Sequence, residues 1–498
     1  MSAKSAVDVA RLLNLVELIN NSAKTIINEW ANAPDSDSSE VRSGLLDSRD
    51  CYNAQRTILG AAGMLTEIVG EPNNRLLEVS SQYFESRALH IAAEHRIPDI
   101  LAGHDEEGVS VAEIGAKIDI ESLKLSRVLR CLCSIHLFKE VAPDVFANNS
   151  VTAKLVGNEP LRAYIMLFAL DLYSASDYLP KALTDPVLGP SYAVEETAFQ
   201  LAVGTKKPRW EWLEEKIPAG QTHFERNGYP RNVKGVNGTN GVNGKRVHED
   251  AHNGNGTAED CRNGTAAEIG NVKPRPELEI FGLAMLGGGR VFGTAHIYDF
   301  PWASLGNGTV VDVGGGVGGF SLQLSKNYQN LKFVIQDREQ AVTQGKRDVW
   351  PKENPQAIAD GRVQFMPHDF FKTNPVKGAD VYWLRYILHD WSDDYCVKIL
   401  SSIRESMAPN SRILICDQVM NTTLGCPELP AAPQPLPANY GYHTRYSHQR
   451  DLTMMAIING IERTPDMFRD IAVRSGLVMN KIWECRSQVS LVELVRAD

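Results

Sequence analysis

Hydrophobic positions along this chain change their period three times, and each change marks a different kind of structure. Leu12, Val16, Ile19, Ala23, Ile26 and Trp30 recur at alternating steps of four and three, the stripe of an amphipathic helix. The polar run at 33–40 interrupts it, and Ile58, Ala62, Leu65 and Val69 begin a second stripe. Two helices are expected over residues 1–70, their apolar face covered either by the chain's own domain or by a second subunit.

The periods then shorten. Ser110 is placed to cap a helix over 111–118. Leu125, Val128, Leu129 and Leu132 share one side of a second helix over 124–136, and 138–141 and 144–147 read as a short hairpin. This order predicts a winged helix. Such a fold enters the DNA major groove in some proteins, but here the second helix offers only Lys124, Arg127 and Arg130 as cations. Residues 157–220 read as helical and are rich in Tyr, Phe, Trp and Met, suited to a core and to an aromatic-accepting pocket.

Residues 228–274 are dominated by Asn and Gly. They hold too little apolar material to offset the entropy of ordering, and a disordered insertion is expected there. Beyond it, short apolar runs at 309–313, 332–336, 362–366, 380–384 and 412–416 alternate with helical stretches, and 478–484 and 489–494 read as a closing antiparallel pair. That alternation predicts an α/β fold, a doubly wound and mostly parallel sheet. Four parts follow: a helical arm (1–70), a winged-helix unit (71–227), the insertion (228–274) and a catalytic domain (275–498). A Pro- and aromatic-rich loop is expected between Gly425 and Arg450.

Composition narrows the class. The 498 residues are 43% hydrophobic, ample for a large core, with 51 Lys and Arg against 61 Asp and Glu. The resulting net charge of −10 argues against a nucleic-acid partner. No apolar run approaches the roughly 18 residues of a membrane span, and Lys4, Asp8, Arg11 and Glu17 break up the start of the chain as no signal peptide would. The eight cysteines show no CxxC and no zinc spacing, which suits reduced thiols in the cytoplasm. No carboxylate cluster suggests a bound Mg²⁺, so metal independence is expected.

The sharpest local signal is VVDVGGGVGGF, residues 310–320. An apolar strand runs into Gly314, Gly315, Gly316, Gly318 and Gly319, and a helix follows. Glycines let backbone approach a ligand closely, and ligands of such folds sit at the carboxyl ends of the strands. The spacing fits both a dinucleotide fingerprint and a loop for S-adenosylmethionine. Asp337, ending the next strand, would take the two ribose hydroxyls of either. Asp369 and Phe370, ending the third strand, suit the amino group and the face of an adenine; a helix cap and a core Phe are the plainer reading.

After the fourth strand comes LRYILHDWSDD. His389 thus stands at the mouth of the sheet on the cofactor side. An imidazole titrating near pH 6.5 suits a general base for a phenol, which by itself ionises near pH 10. Such a base needs a carboxylate to fix its tautomer, and Asp417 or Glu462 are the candidates.

Taken together, VVDVGGGVGG, the Asp337 strand end, HDFF, LRYILHDWSDD, ILICDQ and ERT resemble the S-adenosylmethionine-dependent small-molecule O-methyltransferases of the caffeic-acid type. The resemblance covers roughly 77–220 and 275–498, and it leans toward the fungal secondary-metabolite branch typified by sterigmatocystin O-methyltransferases. It implies that Gly314, Gly316, Asp337, Asp369, Phe370 and Arg385 bind S-adenosylmethionine. His389 would be the base, with Glu462 and Asp417 flanking it. Met285 and Met454 would pack on the substrate ring, an aromatic, polyketide-derived phenol. The winged-helix unit would form a homodimer and cap the active site. Two positions depart from the plant pattern: Arg385 stands where that has Lys, and Asp417 where it has Glu. The alternatives are an NAD-dependent oxidoreductase, which leaves HDWSD and ERT without a task, and transfer to nitrogen or carbon.

Overall fold

The computed structural model describes residues 5–32, 46–218, 272–291 and 294–498, with backbone alone for 218 and 286–291. The polar run at 33–40 and residues 228–271 of the expected insertion lie outside the described residues.

Helices α1 (Ala6–Asn32) and α2 (Arg49–Val69) form the N-terminal pair. Their buried face is shifted from the sequence stripe. Leu15 and Ile26 are buried, whereas Val16, Trp30 and Val69 are exposed. The reason is that α2 serves two neighbours. Ala61, Met64 and Ile68 meet α1 on one side and Ala432, Leu436 and Tyr440 of the same chain on the other. A Cβ at Gly60 would lie 2.6 Å from the Tyr440 carbonyl oxygen, and one at Gly63 would lie 2.3 Å from the Tyr442 Cβ. Polar ties complete the join: Arg56 Nη1 donates to Glu484 at 2.6 Å and the Tyr52 hydroxyl to the Ser487 carbonyl at 2.9 Å. One face of the pair is thus covered by its own chain, while Leu13, Val16, Ile27 and Trp30 on α1 stay exposed. Helix α3 (Pro72–Ser81), by contrast, buries no side chain and leaves Leu76, Leu77 and Val79 exposed.

The winged helix follows α4 (Tyr83–Glu94). It comprises β1 (Val109–Ser110), α5 (Val111–Ile118), α6 (Ser122–Ser134), β2 (Lys139–Ala142) and β3 (Val145–Ala147). Ser110 caps α5 by accepting from Glu113 N. Next come α7 (Glu159–Ala169), α8 (Asp171–Thr184), α9 (Ala198–Val203) and α10 (Arg209–Glu214). Strands β4 (Lys216–Pro218) and β5 (Val272–Pro274) pair antiparallel, Lys216 opposite Pro274. Helix α11 (Pro276–Val291) then returns along α7.

The main sheet is built from β6 (Thr309–Val313), β7 (Lys332–Asp337), β8 (Val363–Pro367), β9 (Val381–Arg385), β10 (Arg412–Asp417), β11 (Leu477–Glu484) and β12 (Ser490–Arg496). The spatial order is β11-β12-β10-β9-β6-β7-β8. All neighbours are parallel except that β12 runs antiparallel to both β10 and β11. Alternate residues feed the two sides. Val310, Trp383 and Leu414 join Trp302 and Phe320 on one face, while Val311, Tyr382 and Ile413 join Ile399 and Phe468 on the other. Covering helices include α12 (Gly319–Asn327), α13 (Asp393–Arg404), α14 (Arg445–Ile458) and α15 (Pro465–Arg474).

Helix α14 corrects the expected loop at 425–450: Tyr446, His448 and Arg450 are helical. The pattern conceals it because α14 is wedged between α8 and α9 on one side and the His389 turn on the other, so its buried residues fall on more than one face.

Candidate functional site

The central strand β9 is buried up to Leu384 and ends at Arg385. The next residue, Tyr386, adopts φ +53°, a left-handed conformation that costs a bulky residue energy. Two acceptors hold it there, since its N–H donates to Asp417 Oδ1 at 2.9 Å and lies 3.3 Å from the Cys416 carbonyl oxygen. The turn then delivers His389, buried, above the carboxyl ends of the strands.

His389 stands between two carboxylates. Nδ1 donates to Glu462 Oε1 at 2.9 Å, and Nε2 lies 3.3 Å from Asp390 Oδ1. Glu462 is brought there by the chain leaving α14. Asn459 turns left-handed, Ile461 N donates to the His389 carbonyl at 2.9 Å, and a Cβ at Gly460 would lie 2.4 Å from that same oxygen. Only glycine permits this approach. Arg463, the next residue in the ERT motif, donates to the carbonyls of Leu388 and Trp391, each at 2.7 Å. Glu462 therefore holds the imidazole and Arg463 the backbone beneath it.

Of the two carboxylates expected to flank the base, Glu462 bonds to it. Asp417 instead bonds to the Tyr386 backbone, because its side chain is one methylene short and ends at the turn. From the sequence alone Asp390, Arg450 and Arg463 receive no role, although HDW and ERT are among its motifs. Asp390 is adjacent to His389 in HDW, and that adjacency was the available signal. Arg450 falls where the sequence pattern reads as a loop but the chain is helical. Its Nε is 3.1 Å from Glu462 Oε1 and its guanidinium centre 4.4 Å from the Tyr386 ring.

Burial pushes the imidazole of His389 down, but the facing charges of Glu462 and Asp390 outweigh it and hold it up at about 9. Burial also works on Glu462, yet the His389 and Arg450 charges keep that carboxyl below its usual range. Burial pushes the Asp417 carboxyl up to about 6.

A cavity of about 240 Å³ opens over His389. Its walls carry the rings of Tyr164, Phe168, Trp210, Phe281 and Tyr386. Met454, buried, and Met285, 45% exposed, add thioethers. Arg385 also reaches the cavity, and its Nε and Nη2 are buried with no hydrogen-bond acceptor among the described residues.

The glycine loop lies at the neighbouring strand end. Gly314, Gly316 and Gly318 all have positive φ, and a Cβ built at Gly316 would meet no atom within 4 Å. Asp337 bridges the cleft by accepting from Gly316 N at 2.8 Å and from Arg338 N at 2.7 Å. Phe370 is half-buried and stands edge-on to Phe371. Asp369 is exposed and caps the following turn through Phe371 N at 3.1 Å. Among the described residues, the group with metal-ligand spacing, Glu29, Asp47 and Cys51, belongs to the N-terminal pair and not to this site. No helix among the described residues is long and apolar enough to cross a membrane.

The chain matches the O-methyltransferase domain family over residues 302–478 and the O-methyltransferase dimerisation domain over 77–158. It is 56% identical to O-methyltransferase gedA of Aspergillus terreus, covering 99% of this chain and 98% of that protein. It is also 56% identical to O-methyltransferase tpcA of Aspergillus fumigatus, over 99% and 97%. A solved structure titled as the methyltransferase CalO1 in calicheamicin biosynthesis, in its SAH-bound form, shares the fold with a TM-score of 0.58 at 23% identity, over 85% and 98%. The chain is an enzyme with S-adenosylmethionine as its cofactor, it carries the family's dimerisation domain, and it belongs to the fungal secondary-metabolite O-methyltransferases.

Proposed function

We propose that this enzyme methylates a phenolic hydroxyl of an aromatic, polyketide-derived metabolite, with His389 as the general base. The observation that carries the reading is a buried imidazole, backed by Glu462, at the floor of a cavity walled by aromatic rings. A planar hydroxyaromatic suits those walls.

The residues at the strand ends fit the cofactor. Arg385 has two buried N–H groups in want of an acceptor, which a carboxylate supplies. The open space at Gly316 admits a ligand against backbone, and Asp337 keeps lone pairs for ribose hydroxyls. Asp369 and Phe370 flank the adenine end. When bound, S-adenosylmethionine supplies a methyl group on a positively charged sulfur.

Glu462 fixes the Nδ1 proton, so that Nε2 is the atom that receives the phenol proton. With His389 held at about 9, its Nε2 proton must first depart, and Asp390 stands 3.3 Å away to share it. Met285 and Met454 seat the ring, while Tyr386, pinned by Asp417, sets the height of the base. Much of the acceleration then comes from alignment of the two reactants.

The organisation that goes with this reading is a helical arm (1–70), a dimerising and capping unit (71–227), an insertion (228–274) and a catalytic unit (275–498). The test is methyl transfer to a panel of hydroxyaromatics set beside the matching anilines. Transfer to oxygen is expected, with His389→Gln lowering turnover by about two to four decades while S-adenosylhomocysteine still binds. Methylation of the anilines alone, or normal turnover in the variant, would overturn it.

A further inference from the structure

We infer that the substrate carries an oxyanion besides the hydroxyl that is methylated, and that Arg209 receives it; this rests on reading the cavity as the methyl-acceptor site. Arg209 opens α10, lines the cavity and is 2% exposed. Its Nε donates to Asp171 Oδ2 at 2.6 Å, but its Nη2 is buried with no acceptor among the described residues. A buried cationic N–H left without an acceptor is costly, and a ligand oxygen in the same cavity satisfies it.

The surroundings point to an aromatic anion. The guanidinium centre lies 5.4 Å from the Phe281 ring and 5.7 Å from the Trp210 ring. A flat ring bearing oxygens would therefore share those faces, and the planar fork of arginine matches a pair of oxygens. Arg385 and Arg450 line the cavity as well, against Asp390 as its one carboxylate among the described lining residues. Arg385 has its task at the cofactor and Arg450 its ion pair with Glu462. Arg209 is thus a lining cation with a buried donor that has no acceptor among the described residues; buried Glu277 feels its charge but makes no hydrogen bond to it. Its charge is felt at Asp390, beside the base. Arg209 and His389 line the same cavity, so one ring system can carry both the oxyanion and the reacting hydroxyl.

Two kinds of acid supply such an oxyanion: an aromatic carboxylate, or a hydroxyl ionised by conjugation with a ring carbonyl. Calorimetric titration of the full-length enzyme, loaded with S-adenosylhomocysteine, separates them. The probes are an ortho-hydroxynaphthoate, a hydroxynaphthoquinone, and the neutral hydroxynaphthamide and naphthol. At least one anion is expected to bind about ten-fold or more tightly than its neutral counterpart, and the favoured anion identifies the acid. In Arg209→Gln that ratio should fall to about two-fold or less. Because this variant strands Asp171, the double variant Arg209→Gln/Asp171→Asn is measured too, with S-adenosylhomocysteine affinity reporting that it is folded. Equal binding of anions and neutrals, no binding of either anion, or a ratio that survives in both variants would overturn the inference. Failure of the general-base reading shows elsewhere, as unchanged turnover in His389→Gln with the binding ratio intact.

Discussion

Nδ1 of His389 lies 2.9 Å from Oε1 of Glu462, and the same oxygen lies 3.1 Å from Nε of Arg450. One carboxylate oxygen therefore ties the imidazole to the cation that rests on Tyr386. Burial alone would lower the imidazole, but the two facing carboxylates hold it at about 9. A base must be neutral to accept a proton, so kcat/KM should climb as pH rises from 7, reach half its limit near 9 and level off only above that. A profile already flat at pH 7 would contradict this. Stability should run the other way. The folded value lies above the free value of about 6.5, so the stability contributed by His389 is complete below about 6.5 and is lost as pH rises through 9. The melting temperature of the wild type should fall across that window more than that of His389→Gln.

Glu462→Gln removes the charge that raises the imidazole while keeping an acceptor for Nδ1. Its rising limb of kcat/KM should move to lower pH, with a smaller plateau. Measurement of the full pH profile separates this from simple damage, which would lower the plateau and leave the limb in place.

Asp417 accepts a hydrogen bond from the Tyr386 backbone N–H. Asp417→Asn retains an oxygen for the Tyr386 N–H and removes a carboxyl that burial pushes up to about 6. Its turnover should stay within a few-fold of normal. Asp417→Ala releases the left-handed turn, so a loss of about ten-fold or more is expected, consistent with roughly 1–3 kcal/mol stored at such sites. Equal losses in the two variants would instead make the negative charge the important property.

At Gly63, alanine ordinarily favours a helix, but here its Cβ would meet the Tyr442 Cβ at 2.3 Å. Gly63→Ala should therefore destabilise the protein by about 1–3 kcal/mol, the usual cost of overpacking. Limited proteolysis should show α2 released before the catalytic domain unfolds.

Strands β4 and β5 hold the ends of the long excursion together, Pro218 opposite Val272. Replacing residues 219–271 with a two-residue Asn-Gly turn, which joins Pro218 directly to its partner Val272, should leave turnover unchanged, since that turn closes an antiparallel pair. A large loss would assign the segment a part in catalysis.

The sheet was legible because each strand is a short apolar run between turn signals. The runs at 309–313 and 412–416 match β6 and β10 to within a residue. The glycine loop and HDW stood out for the same reason, since their backbone demands are local. What the pattern hid was contact between distant segments. Val16 fits the heptad as well as Leu15 does, and only the second neighbour of α2 decides which is buried. Likewise Asp417 and Glu462 both suited His389 by type. The choice between them depends on Gly460 lying against the His389 carbonyl, which spacing along the chain does not reveal.

The join between the N-terminal helices and the end of the chain bears on synthesis. Arg56 and its partner Glu484 are 428 residues apart. At roughly 5–20 residues per second, the ribosome needs on the order of 20–90 s to deliver the second after the first. For most of that interval, until Leu436 and Tyr440 are made, the helices made first have no docking surface, and Ala61, Met64 and Ile68 remain uncovered on that side. The beginning of the protein is thus among the last parts to reach its final state, and a chaperone that shelters nascent apolar helices would raise the yield of folded enzyme.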